Sequence, residues 1–267
     1  MPTSNDIKPF IRWPGGKSKL ALALLSLLPK DYNHYYEPFL GGGALYFHLL
    51  PTKSTLSDIN PELINAYLQV RDNPKALIKE LKKYKNDMTF YYDLRAKKFN
   101  NNIKRAARFI YLTKTSFNGI YRENKKGIFN VPYGYRENID FIGSSNLLKV
   151  SNSLLSADIR CSHYSDIIAN SSKNDFVYFD PPYTLKKNNG YSIYKSNLFT
   201  WDDQLELAEI ARGLKNRGVF VMVSNSPHES VKKLYKGFKL IELERLSLVS
   251  AYNRSRGKIT ETVFISY

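Results

Sequence analysis

His34-Tyr35-Tyr36-Glu37-Pro38-Phe39-Leu40-Gly41-Gly42-Gly43, running into a helical stretch from Ala44 to Leu50, decides the fold. A strand, a glycine-rich turn and a helix start form the nucleotide-binding element of doubly wound α/β proteins, where backbone N–H groups meet a ligand at the turn. The phosphate fingerprint is altered here. Pro38 and Phe39 intrude before the three glycines, which suits a ligand with an amino-acid tail rather than a pyrophosphate. A short strand, Ser54 to Ser57, then ends in Asp58-Ile59-Asn60-Pro61. An acid about 20 residues beyond a glycine turn is placed to hold ribose hydroxyls. The alternative is that Asp58 caps the helix starting at Pro61.

Upstream stands Ile11-Arg12-Trp13-Pro14-Gly15-Gly16-Lys17-Ser18, followed by an apolar helix from Leu20 to Leu28. Its last three residues imitate a phosphate-binding loop, but that motif needs another glycine where Ile11 stands, so a nucleoside triphosphatase is excluded. Two glycines between Trp13 and Lys17 still let the backbone approach a ligand that an aromatic and a cation flank.

Downstream, the apolar strand Phe176-Val177-Tyr178-Phe179 runs straight into Asp180-Pro181-Pro182-Tyr183. Each proline fixes its own φ and pushes the preceding residue out of the helical region, so Asp180 and Tyr183 project from a stiff extended segment. A carboxylate beside the Pro181 carbonyl offers only acceptors, and the matching ligand carries two N–H donors, such as an exocyclic amine. Tyr183 adds a flat face for stacking. Together these point to chemistry on a nucleobase that has left its helix.

Composition narrows the partners. The 267 residues carry 40 Lys and Arg against 24 Asp and Glu, a net charge of +16, which implies a polyanion, with nucleic acid foremost. No apolar run approaches the roughly 18 residues of a membrane span. The N-terminus shows no signal region and the single cysteine, Cys161, cannot form an internal disulfide, so the expected compartment is the cytoplasm. His34, His48, His163 and His228 are scattered without cysteines at ligand spacing, and no metal site is expected.

Between the glycine turn and the D-P-P-Y strand lies a polar helical block, residues 61–155, with helices expected at Leu63–Val70, Pro74–Tyr84, Met88–Arg95 and Lys104–Thr113. It reads as an inserted domain. Within it, two short apolar stretches flank Asn124-Lys125-Lys126-Gly127, the composition of a β-hairpin with a basic tip. Arg122 suits a base edge there, and an aromatic suits a wedge between bases. Ile159 to Ile167 reads as a strand and an acidic loop, and the polar stretch Thr184 to Asn197 as a long loop over the substrate. A helix at Asp202–Lys215 has Leu205, Leu207, Ala208, Ala211 and Leu214 as its apolar face, and the strand Val219–Val223 follows. Near the end, strands at Leu246–Ala251 and Thr262–Ser266 flank a tip with Arg254, Arg256 and Lys258.

Taken in order, W-P-G-G-K, E-P-F-L-G-G-G, L-S-D-I-N, F-N-G-I-Y-R…G-I-F-N-V-P-Y-G and F-D-P-P-Y resemble the Dam-type, α-group DNA adenine-N6 methyltransferases over essentially the whole chain. The resemblance implies an α/β architecture: a Rossmann-like mixed seven-stranded sheet with an antiparallel hairpin at its end and an inserted helical target-recognition domain carrying a β-hairpin. Residues 1–60 and 156–267 would form the catalytic domain, and 61–155 the target-recognition domain. It implies S-adenosyl-L-methionine as cofactor, held by Trp13, Lys17, Glu37, Phe39, Gly41, Asp58 and Asp180, with Tyr164, Asp166 and Ile167 near its adenine. It implies double-stranded DNA as partner, methylated by a monomer at GATC. Phe117 stands at the intercalating position and Asn118 beside it. Ile120 and Pro132 stand where a thymine methyl is touched, and Arg122 where a guanine is read. Arg12 occupies a place usually held by Lys, at the outer base. Lys125, Lys126, Arg254 and Arg256 would meet phosphates. Catalysis falls on Asp180, Pro181, Pro182 and Tyr183: two hydrogen bonds from the amine to Asp180 and the Pro181 carbonyl favour a pyramidal nitrogen and free its lone pair. Two alternatives keep part of this picture, an N4-cytosine or RNA adenine methyltransferase, and a DNA-binding module without catalysis.

Overall fold

The computed structural model of the chain describes residues 7–124, 126–184, 199–246 and 258–267. In chain order these form α1 (Ala21–Leu25), β1 (Tyr35–Glu37), α2 (Ala44–Leu49), β2 (Ser54–Asp58), α3 (Pro61–Asp72), α4 (Pro74–Leu81), α5 (Met88–Ala96) and α6 (Asn102–Thr115). There follow a 3-10 turn at Phe117–Gly119, then α7 (Ser144–Leu154), β3 (Ala157–Cys161), α8 (Tyr164–Ile168), β4 (Phe176–Phe179), α9 (Trp201–Asn216), β5 (Phe220–Asn225), α10 (Glu229–Leu234), β6 (Lys239–Leu246) and β7 (Lys258–Ile265).

The strands make one mixed seven-stranded sheet in the order β3-β2-β1-β4-β5-β7-β6. The central strand β4 pairs in parallel with β1, Tyr35 opposite Phe176, and with β5, Phe176 opposite Phe220. β7 runs antiparallel to both β5 and β6, which is the expected reversed hairpin. Its first strand starts earlier than expected, at Lys239 rather than Leu246, and residues 247–251 lie outside the described residues. β6 is the last strand of the sheet, and its charged alternation, with Glu242 and Glu244 outward, is how an edge strand resists pairing with another chain.

The chain divides into two compact units, residues 1–18, 40–52 and 56–162, and residues 19–39, 53–55 and 163–267. In the first, α3 packs on α6 and α7, and α4 packs on α6. The order begins at Asn60, whose side chain caps α3 by accepting the Glu62 and Leu63 N–H groups while Pro61 takes the first helical position. α6 buries Ala106, Ala107, Ile110 and Tyr111 at helical spacing, and Tyr67, Tyr91 and Tyr111 fill the core of the unit. α7 is absent from the sequence expectations, although Leu147, Val150, Ser151 and Leu154 form one buried stripe.

In the second unit Val177 and Phe179 of β4, Val221 and Val223 of β5 and Phe264 of β7 form the core with one face of α9. Thr200 and Asp203 close a capping box at the start of α9. The buried face of that helix is Gln204, Leu207, Ala208, Ala211 and Leu214. Leu205, expected on it, is instead 40% exposed, because the position before it turns inward for a polar reason given below. The expected apolar helix at Leu20–Leu28 shortens to α1, and the expected acidic loop at Tyr164–Ile167 is the helix α8.

Candidate active site

In the second unit, the fully buried strand β4 delivers its four apolar residues to the core and ends at a half-buried Asp180. Pro181 is buried and Pro182 exposed. The loop is braced from both sides. The Pro182 carbonyl accepts the Gln204 side-chain amide of α9 at 3.2 Å, and the Gln204 carbonyl accepts the Asn225 amide at the end of β5 at 3.1 Å. Gln204 and Asn225 are both wholly buried, so each amide has been desolvated to make this relay. The Tyr183 hydroxyl donates to the Glu261 carboxylate of β7, itself only 2% exposed, which fixes the ring plane. Sequence reasoning missed Gln204 and Glu261. A glutamine on an apolar helical face and a glutamate in an apolar strand were the available signals.

The surroundings of Tyr178 and Tyr183 hold three acids, Glu37, Asp180 and Glu261, within a basic protein. Glu37 at the end of β1 is buried and accepts the Tyr35 hydroxyl at 2.8 Å. Burial first, then Asp180, Glu37 and Glu261 among the surrounding groups, hold the Tyr178 phenol well above its ordinary pKa, and Tyr178 hydrogen-bonds Ser224 at 2.9 Å. Burial, Asp180 and Glu261 likewise hold Tyr183 well above the ordinary phenol value. Both rings are neutral at physiological pH. Phe39 stacks on Tyr164 with ring centres 5.1 Å apart. Tyr164 and Ile167 are core residues, 2% and 3% exposed, whereas Asp166 faces solvent.

In the first unit, Asp58 accepts the Gly41 N–H at 3.1 Å and the Asn60 N–H at 3.0 Å. It ties the end of β2 to the glycine turn, and the capping of α3 belongs to Asn60 instead. Burial raises the Asp58 carboxyl above its usual range, and the backbone N–H groups oppose that rise. Gly41 has φ +47°, and a Cβ on it would sit 2.6 Å from the Trp13 indole. Glycine is therefore required twice over, by conformation and by contact. The Tyr67 hydroxyl donates to the Gly41 carbonyl at 3.0 Å, and Lys17, 5% exposed, donates to the Gly15 carbonyl at 3.0 Å.

The expected hairpin is present in the same unit as a narrow antiparallel return held by bridges at Ser116–Tyr133 and Glu123–Phe129 rather than by a continuous ladder. Asn118 departs from a regular arm with φ 53°, which splays Phe117 outward. Phe117 is 51% and Ile120 38% exposed, and Asn118, Arg122 and Pro132 are exposed beside them. The Phe117 N–H donates to the Pro132 carbonyl at 2.9 Å, and Arg122 Nε to Asn130 Oδ1 at 2.8 Å, so these residues are brought together on one arm. A cleft of about 770 Å³ lies against this region, lined in part by Arg12, Lys114, Tyr135 and Arg136. Burial depresses the Lys114 and Arg136 pKa values, and the Arg12 charge depresses both further. Lys126 at the tip is exposed, whereas Lys125, Arg254 and Arg256 lie outside the described residues, as does the loop at 185–198. Among the described residues no cluster of three or more His, Cys, Asp or Glu is arranged to hold a metal ion, and no helix is long and apolar enough to cross a membrane.

Comparison with known proteins identifies the family. The chain is 38% identical to the type II methyltransferase M1.LlaDCHI of Lactococcus lactis subsp. cremoris over 98% of its own length and 96% of that protein. It is 36% identical to the type II methyltransferase M.MjaIII of Methanocaldococcus jannaschii, covering 98% and 100% of the two chains. Against a DNA adenine methylase of Vibrio cholerae it is 33% identical over 94% and 93%. Residues 13–248, from the tryptophan of the first motif to the last hairpin, match the family described as D12 class N6 adenine-specific DNA methyltransferase, and the chain belongs to that family of enzymes.

Proposed function

We propose that this DNA adenine-N6 methyltransferase takes its methyl group from S-adenosylmethionine and places it on an adenine flipped out of duplex GATC. The observation that carries the reading is the end of β4: a carboxylate at Asp180, the Pro181 carbonyl beside it and a Tyr183 ring immobilised by Glu261. S-adenosylmethionine supplies, when bound, an electrophilic methyl on a sulfonium. Asp180 and the Pro181 carbonyl accept the two N–H groups of the adenine amine, which withdraws its lone pair from the ring. Tyr183 stacks on the base and orients the nitrogen. No covalent intermediate with the protein is required, and orientation alone can contribute about 7–11 kcal/mol at the extreme.

The glycine turn fits such a cofactor better than a dinucleotide. Gly41 N–H is committed to Asp58, and Gly43 N–H to the Leu40 carbonyl at 2.7 Å, so donors that a pyrophosphate needs are already used. The Asp58 carboxylate has about four acceptor sites, more than its backbone donors occupy, and serves ribose hydroxyls. Trp13, Lys17, Glu37 and Phe39 complete the cofactor set. Residues 61–155 act as the target-recognition domain, with Phe117 as wedge, Arg122 as guanine reader, and Ile120 and Pro132 against a thymine methyl.

Incubation with labelled S-adenosylmethionine and duplexes that contain or lack GATC, followed by nucleoside analysis and sequencing, tests all three parts. Label in N6-methyladenine confined to GATC is expected. Modified adenines in another motif overturn the target assignment, label in cytosine overturns the substrate, and no label with any duplex overturns the cofactor. In parallel, Asp58→Ala is expected to weaken S-adenosylmethionine binding by about 1.5–3 kcal/mol, the worth of a hydrogen bond to a charged group, as read by calorimetry.

A further inference from the structure

Trp13 is usually counted with a cofactor turn and Arg122 with a DNA-reading arm, yet one side chain touches the surroundings of both. The Tyr121 ring stacks on the Trp13 indole with centres 5.1 Å apart and planes 25° from parallel. The pyrrole edge of that indole, Cδ1 and Nε1, lies so close to Gly41 that no side chain fits between them. The Tyr121 hydroxyl donates to Glu123 on the same arm. A packed route therefore runs from Tyr121 through the Trp13 indole to Gly41, whose N–H Asp58 holds.

Tyr121 is also the inward member of an extended arm. Successive side chains of such a segment point to opposite faces, so its neighbours Ile120 and Arg122 project outward, as their exposure shows. A displacement of the Tyr121 ring moves the backbone that carries both. Because a packed ring pair resists continuous deformation, a change at the glycine turn is passed on as a change in the arm.

We propose that Tyr121 is a positioning residue that couples cofactor binding to DNA reading, so that S-adenosylmethionine and the target duplex bind cooperatively through it. This rests on the cofactor and target reading above. By linkage, the factor by which one ligand tightens the other is the same in both directions.

The measurement is that factor. Anisotropy of a labelled GATC duplex with and without sinefungin, an unreactive analogue of the cofactor, gives it in one direction. Calorimetry of sinefungin with and without duplex gives it in the other. For the wild type a factor of about 5 or more is expected. Tyr121→Leu should bring it to about 1 while each ligand alone binds within about 3-fold of wild type, and Tyr121→Phe, which keeps the ring, should retain most of it. Phe90→Leu removes a ring of the same unit that packs on Tyr84 and Tyr111 rather than on Trp13 or Tyr121, and should lower the melting temperature while leaving the factor intact. Full coupling in Tyr121→Leu, or equal loss in Phe90→Leu, overturns the proposal. A wild-type factor of 1 with both ligands bound overturns it while leaving the cofactor reading standing. Absence of sinefungin binding to the wild type instead removes the cofactor reading and the coupling with it.

Discussion

The loop after β4 and the arm around Arg122, the proposed catalytic and DNA-reading segments, are both short and irregular, but they are built on opposite terms. The first is locked: two prolines, a buried glutamine and a buried glutamate hold it. The second is held by two isolated bridges and presents Phe117 and Ile120 to solvent. Chemistry on a fixed nitrogen demands pre-placed atoms, since a small error in position costs rate. Reading a duplex tolerates adjustment, because exposed contacts can form as the DNA is shaped.

The comparison can be broken most forcefully at Asp180. Asp180→Ala should lower kcat by at least about 10²–10³-fold, the scale for removing one preorganised electrostatic contact. Duplex affinity should stay close to wild type, and single-turnover kinetics with anisotropy separate the two. Next comes the brace. Gln204→Leu leaves the Asn225 amide and the Pro182 carbonyl without their buried partner, a loss of about 1–3 kcal/mol in stability read by denaturant unfolding. A comparable change in the arm, Asn130→Ala, should barely alter unfolding, and an equal cost at both sites would erase the contrast.

Within the arm, Arg122→Ala should relax discrimination at one base pair by about 1–3 kcal/mol, measured by competition among duplexes with single substitutions in GATC. Lys126→Ala should instead weaken all duplexes alike and reduce the salt slope by about 0.9. The smallest effect concerns pH. Burial holds the Asp58 carboxyl above its unfolded value, so the ionised form is disfavoured in the fold. Its contribution to stability is fully present below the unfolded pKa of about 3.9 and is lost as pH rises through the higher folded value. Asp58→Asn should lack that loss, so the stability of the variant relative to wild type should improve between acid and neutral pH, while cofactor affinity falls.

Much of this was legible in the residues. The strand, glycine turn and second acid specify the doubly wound order because their spacing is local, and β1, β2 and β4 fall where apolar runs end in chemistry. The D-P-P-Y loop is stiff by covalent geometry alone. What was hidden depends on tertiary placement. Gln204 reads as a solvated helix residue until the Pro182 carbonyl comes within 3.2 Å, and Leu205 reads as core until that polar neighbour takes the inward position. Glu261 sits in an apolar strand that gives no hint of the tyrosine 78 positions earlier. Asn60, which the sequence reading did not single out, takes the cap considered for Asp58, because the Asp58 oxygens are drawn to the Gly41 and Asn60 N–H groups instead.

The indole of Trp13 has one further consequence, for anyone who would change the target sequence. It is wedged against a glycine that tolerates no side chain, and against a tyrosine that belongs to the arm. An arm transplanted from another enzyme brings its own residue to position 121, and with it a different fit to the indole. On the proposed reading specificity is not a detachable cassette: positions 13, 41 and 121 pack as one unit, to be exchanged together or left alone.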